Sequence, residues 1–287
     1  MQGIDGLYSF MDTLLPKKKL RPRLGITLGV LAALVMLTLG GCRSEYRAES
    51  IYQDALTKWD KQQYPDAARE FVSLAELYPT SPLVEESLYW AGCLYHYFIK
   101  DTAAAERLYQ KLLIQFPQGN YTLEAQENLA GLYEADKTKR YRAILIYKRL
   151  VAAEGMRSRR DQIRFRLAHT YLDMGKLDQA RFEFRELLKR EPGSNMLPEA
   201  IYLVGFSYYL EKRFELALVA FRQVERDYPG SMMAQRARFF MADMLEEEGR
   251  MSEALRIFES LEGKYHNATV LAKRIQAIKA RMSKSVR

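Results

Sequence analysis

The sequence predicts an all-α solenoid of about six helix pairs closed by a C-terminal capping helix, and three observations predict it. A triplet made of a small residue, an aromatic four later and an aliphatic three after that recurs every 37 or 38 residues. A proline follows most of these triplets at a fixed distance. Nine prolines and sixteen glycines in 287 residues are few, while Leu, Ala, Glu, Arg and Tyr abound, which favours helix over sheet. With 48% hydrophobic and 28% charged residues the chain buries a sizeable core and has no low-complexity stretch.

The amino terminus comes first. Residues 24–39, "LGITLGVLAALVMLTL", carry no charge and follow the basic cluster "KKKLRPR". A spanning helix needs about 20 apolar residues, so this run is slightly short. It ends at Gly40 and Gly41 with no aromatic belt. A basic region, an apolar run and small residues describe a secretory signal; an uncleaved signal anchor is the alternative. Leu39, Gly40, Gly41 and Cys42 resemble the lipobox of bacterial lipoproteins at all four positions. That resemblance implies cleavage before Cys42, a diacylglycerol on its sulfur and a further acyl chain, palmitate, on its new amino group. Several chains are needed because one anchors only marginally, at about 0.8 kcal/mol per buried methylene. Arg43 stands where an Asp would mark inner-membrane retention, so the expected address is the periplasmic face of the outer membrane of a Gram-negative bacterium. Met11 would also serve as a start.

The repeats follow. Their small residues are Ala67, Ala105, Ala143, Ala180, Ala217 and Ala254, spaced by 38, 38, 37, 37 and 37. Positions i, i+4 and i+7 share one helix face, so Ala217, Phe221 and Val224 form one stripe, with the alanine at the closest helix crossing. Pro79, Pro117, Pro192 and Pro229 fall twelve residues after their alanines and end the second helices; Gly155 and His266 stand there in repeats three and six. Upstream runs such as residues 163–175 and 200–212 are the first helices. The reading divides the chain into a signal at 1–41, a lipidated tether at 42–46, a solenoid at 47–265, and a capping helix and tail at 266–287.

This pattern resembles the tetratricopeptide repeat, on Ala168, Tyr171, Gly175, Ala180, Phe184 and Pro192 in the fourth copy and Gly205, Tyr208, Ala217, Phe221 and Pro229 in the fifth. "YWAGCLYHY" sits one residue out of phase. The resemblance implies a right-handed superhelix with a concave groove. "YPTSP" closing one repeat and "LYWAGCLYHY" opening the next look like periplasmic lipoproteins of the BamD (YfiO) type and the repeat domain of YbgF (CpoB). YbgF-type proteins carry a coiled coil before their repeats, for which there is no room here. Six repeats is one more than the five usual in the BamD type.

In the repeat numbering, the inward positions of the first helices give Tyr52, Trp59, Tyr89, His96, Tyr97, Phe165, His169, Tyr202, Phe206, Tyr209, Phe239, Asp243 and Glu247. Aromatics in a groove suit extended peptides or helices; the alternative for each ring is a place in the inter-repeat core. The basic stretch Arg157, Arg159, Arg160, Arg164 and Arg166, with Lys139, Arg140 and Arg142 before it, suits an acidic partner or lipid head groups, or is a solvated loop and helix face.

Catalysis has no footing. His96, His169 and His266 are far apart with no metal-ligand spacing, and no P-loop, dinucleotide or nucleophile-elbow motif occurs. No enzyme, metal or cofactor is expected beyond the lipid on Cys42, and Cys93 reads as a packed thiol. The net charge of +8 includes Lys17, Lys18, Lys19, Arg21 and Arg23 against Asp5 and Asp12; losing the leader leaves +5, too little to argue for nucleic acid. The BamD-type resemblance implies a lipid-anchored scaffold of β-barrel protein assembly, with an assembly subunit and unfolded outer-membrane protein segments as partners. The alternatives are a YbgF-like envelope or cell-division accessory, or a pilus or exopolysaccharide secretion lipoprotein.

Overall fold

The computed structural model describes residues 31–285, with side chains from 44 to 284. The predicted leader, and Leu39, Gly40, Gly41 and Cys42 of the lipobox, therefore lie outside the residues whose side chains are described. The chain divides at Arg47 and Ala48. Of the first unit, the backbone of residues 31–47 is helical. Among the described residues no helix is long and apolar enough to cross a membrane. The second unit, from Ala48 on, is the solenoid.

The described residues form thirteen α-helices and no strand. In chain order they are α1 (Leu31–Asp60), α2 (Tyr64–Leu77), α3 (Val84–Leu94), α4 (Thr102–Gln115), α5 (Thr122–Ala135), α6 (Arg140–Ala152), α7 (Arg160–Asp173), α8 (Leu177–Arg190), α9 (Leu197–Leu210), α10 (Phe214–Asp227), α11 (Met232–Glu247), α12 (Met251–Ser260) and α13 (Ala268–Ser285). From α2 onward each helix packs on the next, so the fold is a one-dimensional stack. Odd-numbered helices up to α11 are the first members of pairs, and even-numbered ones the second.

One contact recurs in every pair. The second-helix aromatics Phe71, Tyr109, Tyr147, Phe184, Phe221 and Phe258 are fully buried. Opposite them the first helices hold Ala55, Gly92, Ala130, Ala168, Gly205 and Ala242, also buried. A methyl group on Gly205 would stand 2.7 Å from the Phe221 ring, and one on Gly92 2.6 Å from the Tyr109 ring. The alanine of the triplet sits beside the crossing, completely covered in all six copies.

Twelve residues separate the small residue of the first helix from that of the second in four pairs, and thirteen in the second and third. The second pair accommodates its extra residue as a π-turn over Tyr95–Ile99. This turn is the physical form of the one-residue phase slip in "YWAGCLYHY". The third pair places its extra residue in the connecting turn, where the Asp136 carboxylate accepts from Thr138 N at 2.9 Å and Oγ1 at 2.7 Å. In the other five pairs the first helix ends in a left-handed residue: Gln62, Lys100, Gly175, Lys212 and Gly249, with φ from 58° to 82°.

The prolines act as expected. Tyr78, Phe116, Glu191 and Tyr228, each just before a proline, have φ between −126° and −138° and ψ between 56° and 67°. Proline excludes helical geometry at the preceding residue, so the helix stops there while the residue's N–H still bonds four residues back. At the far end Leu271, Ile275 and Ile278 of α13 join Phe239, Ala242 and Phe258 in one core cluster. The cap thus buries an apolar stripe and reaches back with Arg274 and Arg281 to the buried Asp243 and Glu246.

Phe221→Ala removes the largest side chain at the fifth crossing and should cost about 3–5 kcal/mol. Urea unfolding measures it, and a loss under about 1 kcal/mol would show that the ring does not hold the pair together.

Candidate functional site

The register of the small residues defines three columns on the first helices. The first contains Tyr52, Tyr89, Glu127, Phe165, Tyr202 and Phe239. Four residues on lie Leu56, Cys93, Gly131, His169, Phe206 and Asp243, and three further on Trp59, His96, Glu134, Leu172, Tyr209 and Glu246. Of the aromatics expected in a groove, Tyr52, Tyr89, Tyr202 and Phe239 are buried and belong to the core between repeats. Trp59, His96, Phe165, His169, Phe206 and Tyr209 are half-buried and keep one side toward solvent.

The rings form two clusters. Near the start, Trp59 meets Trp90 edge-on at 5.3 Å and Phe71 at 6.3 Å. In the fifth and sixth repeats, Phe206 and Tyr209 flank Phe240 at 5.2 and 4.9 Å, and Tyr202 stacks on Phe206 at 6.0 Å. The sixth repeat does not extend this surface as expected. Asp243 is buried and pairs with Arg274 of α13, which also reaches Glu246 at 3.4 Å. Two carboxylates in the inner columns draw in the cap's arginine, because a buried carboxylate needs a counter-charge.

Between the clusters lies a charged waist. The third repeat supplies Glu127, Gly131 and Glu134, and the fourth answers with arginines. Arg159 Nη2 lies 2.6 Å from Glu127 Oε1, and Arg166 Nη2 lies 2.7 Å from Glu134 Oε2. The Arg166 guanidinium also rests over the Tyr147 ring at 5.0 Å, and the Tyr147 hydroxyl donates to Glu134 at 2.7 Å. Gly131 makes the reach possible, since a Cβ there would stand 2.8 Å from Arg166 Nη2. Burial raises the Glu127 pKa, with the two arginines pulling the other way. The inward positions read from the sequence do not include these third-repeat residues, although the 37–38 spacing locates them.

The basic stretch is therefore neither one exposed patch nor a solvated face. Arg164 is buried with its Nη1 2.8 Å from Glu183 Oε2. Arg159 and Arg166 are committed to the third repeat, and Arg160 approaches Glu154 at 3.9 Å. Arg157 alone of the five is exposed. Five arginines clustered in sequence diverge around a helix and meet carboxylates from different neighbours.

His96 is stacked on Tyr97 at 4.1 Å, and its pKa is pushed down to about 4, first by burial and then by Lys100 and Arg166. Cys93 is buried, and its Sγ accepts from the Tyr109 hydroxyl at 3.6 Å. Burial pushes its thiol up to about 12, so it is held protonated and unreactive. His169 has its Nδ1 3.8 Å from Asp173 and lies in another repeat. Among the described residues no three His, Cys, Asp or Glu side chains gather as metal ligands would.

Residues 86–119, 161–194 and 199–231 each match a sequence profile of the tetratricopeptide repeat. These segments are similar to tetratricopeptide repeats. The matches fall on the second, fourth and fifth pairs, and the same crossing makes the remaining pairs tetratricopeptide-like. Comparison with curated proteins gives no match. Among solved structures, a tetratricopeptide repeat protein from Parabacteroides merdae is similar over 81% of this chain and 87% of its own, with 16% identity and a TM-score of 0.59. YrrB covers 70% of this chain and 96% of its own (18% identity, TM-score 0.52). PilF of Pseudomonas aeruginosa covers 82% and 98% (15% identity, TM-score 0.50). At such identities the likeness is one of fold: a tetratricopeptide solenoid, suited to protein–protein interaction.

Two outcomes test this geometry. Arg164→Ala leaves Glu183 buried without its partner and should cost about 3 kcal/mol, whereas Arg157→Ala should stay within about 0.5 kcal/mol; equal effects in thermal melts would refute the division. Because the folded His96 resists protonation more than the unfolded chain, its contribution is intact above the ordinary histidine pKa of 6.5 and is lost as pH falls toward about 4. His96→Gln should flatten the decline of stability between about pH 6.5 and 5, read from urea midpoints across that range.

Proposed function

We propose that this chain is a lipid-anchored periplasmic scaffold of the outer-membrane β-barrel assembly machinery. In this reading it binds extended or helical protein segments along its first-helix face. The observation that carries the binding role is the set of half-buried rings, Trp59, Phe165, Phe206 and Tyr209, which lie in the three first-helix columns of repeats one, four and five. Such rings offer rigid apolar area at low entropic cost, which is what a scaffold without chemistry of its own requires. YrrB is described as carrying an unusual peptide-binding site; a site for peptides here would use Phe206, Tyr209 and Phe240 on one side of the charged waist and Trp59 on the other.

The anchor and the assembly role rest on sequence: the basic leader, the apolar run, Leu39–Gly40–Gly41–Cys42 and Arg43 for the address, and the BamD-type repeat junctions. A scaffold acts by location, and acyl chains on Cys42 would hold the solenoid at a membrane surface.

Mild solubilisation of membranes and mass spectrometry of what copurifies with the tagged chain should recover a β-barrel assembly subunit. Recovery of division, pilus or polysaccharide-export proteins without one would overturn the assembly role. Cys42→Ala should release the domain from the membrane fraction, and continued membrane association with an intact leader would show an uncleaved signal anchor instead.

A further inference from the structure

The second-helix side of the solenoid carries a contact that repeats and then stops. Three residues beyond each small residue of the first helix stand Tyr133, Tyr171, Tyr208 and Leu245 in repeats three to six. Each faces the residue five beyond the alanine of the preceding second helix: Gln110, Lys148, Arg185 and Arg222. Gln110 Nε2 donates to the Tyr133 hydroxyl at 3.0 Å. Lys148 lies 5.8 Å from the centre of the Tyr171 ring. Arg185 Nη2 donates to the Tyr208 hydroxyl at 2.7 Å, and the buried Arg181 lies over the same ring at 4.3 Å. In the sixth repeat the ring is missing.

Where the ring is missing there is a cleft. Between α10, α11 and α12 it has a volume of about 610 Å³, inside the range of pockets that hold small ligands. Its apolar wall is Leu218, Met241, Met244, Leu245 and Ile257, and Arg222 stands in its lining. The other arginines there are engaged, Arg238 with Glu225 and Arg250 with Glu253. Arg222 has no ion-pair or hydrogen-bond partner among the described residues, unlike Arg185 at the same register. Thioether and aliphatic walls accept an aromatic ring readily, and a guanidinium without a carboxylate complements the electron-rich face or hydroxyl of that ring.

The geometry points to an aromatic side chain of a partner protein, a tyrosine by preference, as the occupant of this cleft. The partner's ring takes the place that the solenoid's own tyrosine holds in the three preceding repeats, with Arg222 on its face or hydroxyl. This surface lies on the second-helix side, away from the first-helix columns, and stands whether or not the assembly role does.

The test labels the methionine methyls of the full chain with ¹³C and titrates N-acetyl-tyrosinamide, with N-acetyl-leucinamide as the control. The Met241 and Met244 methyl signals should move upfield saturably with the tyrosine probe and little with the leucine one. Leu245→Tyr should shift those signals upfield before any probe is added and abolish the response, because it restores the pattern of the other repeats. Arg222→Gln, at an exposed position, should weaken binding roughly fivefold, and keeps the test decisive if Leu245→Tyr folds poorly. Equal responses to both probes, unmoved methyls, or an undiminished response in Arg222→Gln would overturn the assignment.

Discussion

Everything in this solenoid depends on a close crossing between a small residue and an aromatic ring. Ala or Gly on the first helix lets the two axes approach until Phe or Tyr of the second fills the space between them. The ring is then buried on all sides, and its neighbours three and four residues away are carried into the same stripe. Each pair presents a remaining apolar edge that the next pair covers, so stacking continues until a helix arrives with a single apolar stripe. That helix is α13, which buries Leu271, Ile275 and Ile278 and offers no further edge.

The crossing also tolerates variation elsewhere. One extra residue in the second pair becomes a π-turn, and one in the third becomes a longer connection, without moving either aromatic out of its socket. Outside the crossing, the inner columns differ from repeat to repeat. The result is an uneven face: aromatic in repeats one, two, five and part of six, and charged across three and four. Ion pairs such as Arg166 with Glu134 cross from one repeat to the next, adding direction to a stack whose apolar contacts are nearly identical.

Function follows from this division between a constant crossing and variable faces. The half-buried rings of the first helices, packed on one side, and the cleft beside Leu245 are both places where the repeat pattern leaves apolar surface toward solvent. Such departures from the pattern stand out because the repeats serve as an internal reference for finding them.

The helix pairs, their number, the aromatic triplets and the prolines that end the second helices were legible in the sequence, because a period of 37 or 38 with a fixed triplet leaves one packing solution; the stripe points to the triplet alanine as the closest crossing, whereas the structure puts a first-helix Ala or Gly there. The phase slip at "YWAGCLYHY" was visible but not its form, since a π-turn and a longer loop leave the same trace in sequence. Position in a repeat says which way a side chain starts but not what waits at its end. Tyr52, Tyr89, Tyr202 and Phe239 share a column with the half-buried Phe165, and the neighbouring helices decided that they would be covered. Arg157, Arg159, Arg160, Arg164 and Arg166 read as one basic patch in a line of text; wound on a turn and a helix they point to different carboxylates, and only the stacked third and fourth repeats brought those carboxylates within reach. Sequence alone determined the repeat and its apolar stripe because both depend on residues near each other in the chain, whereas exposure and charge pairing depend on which helices tertiary packing brings together, as the 32 residues between Arg166 and Glu134 show.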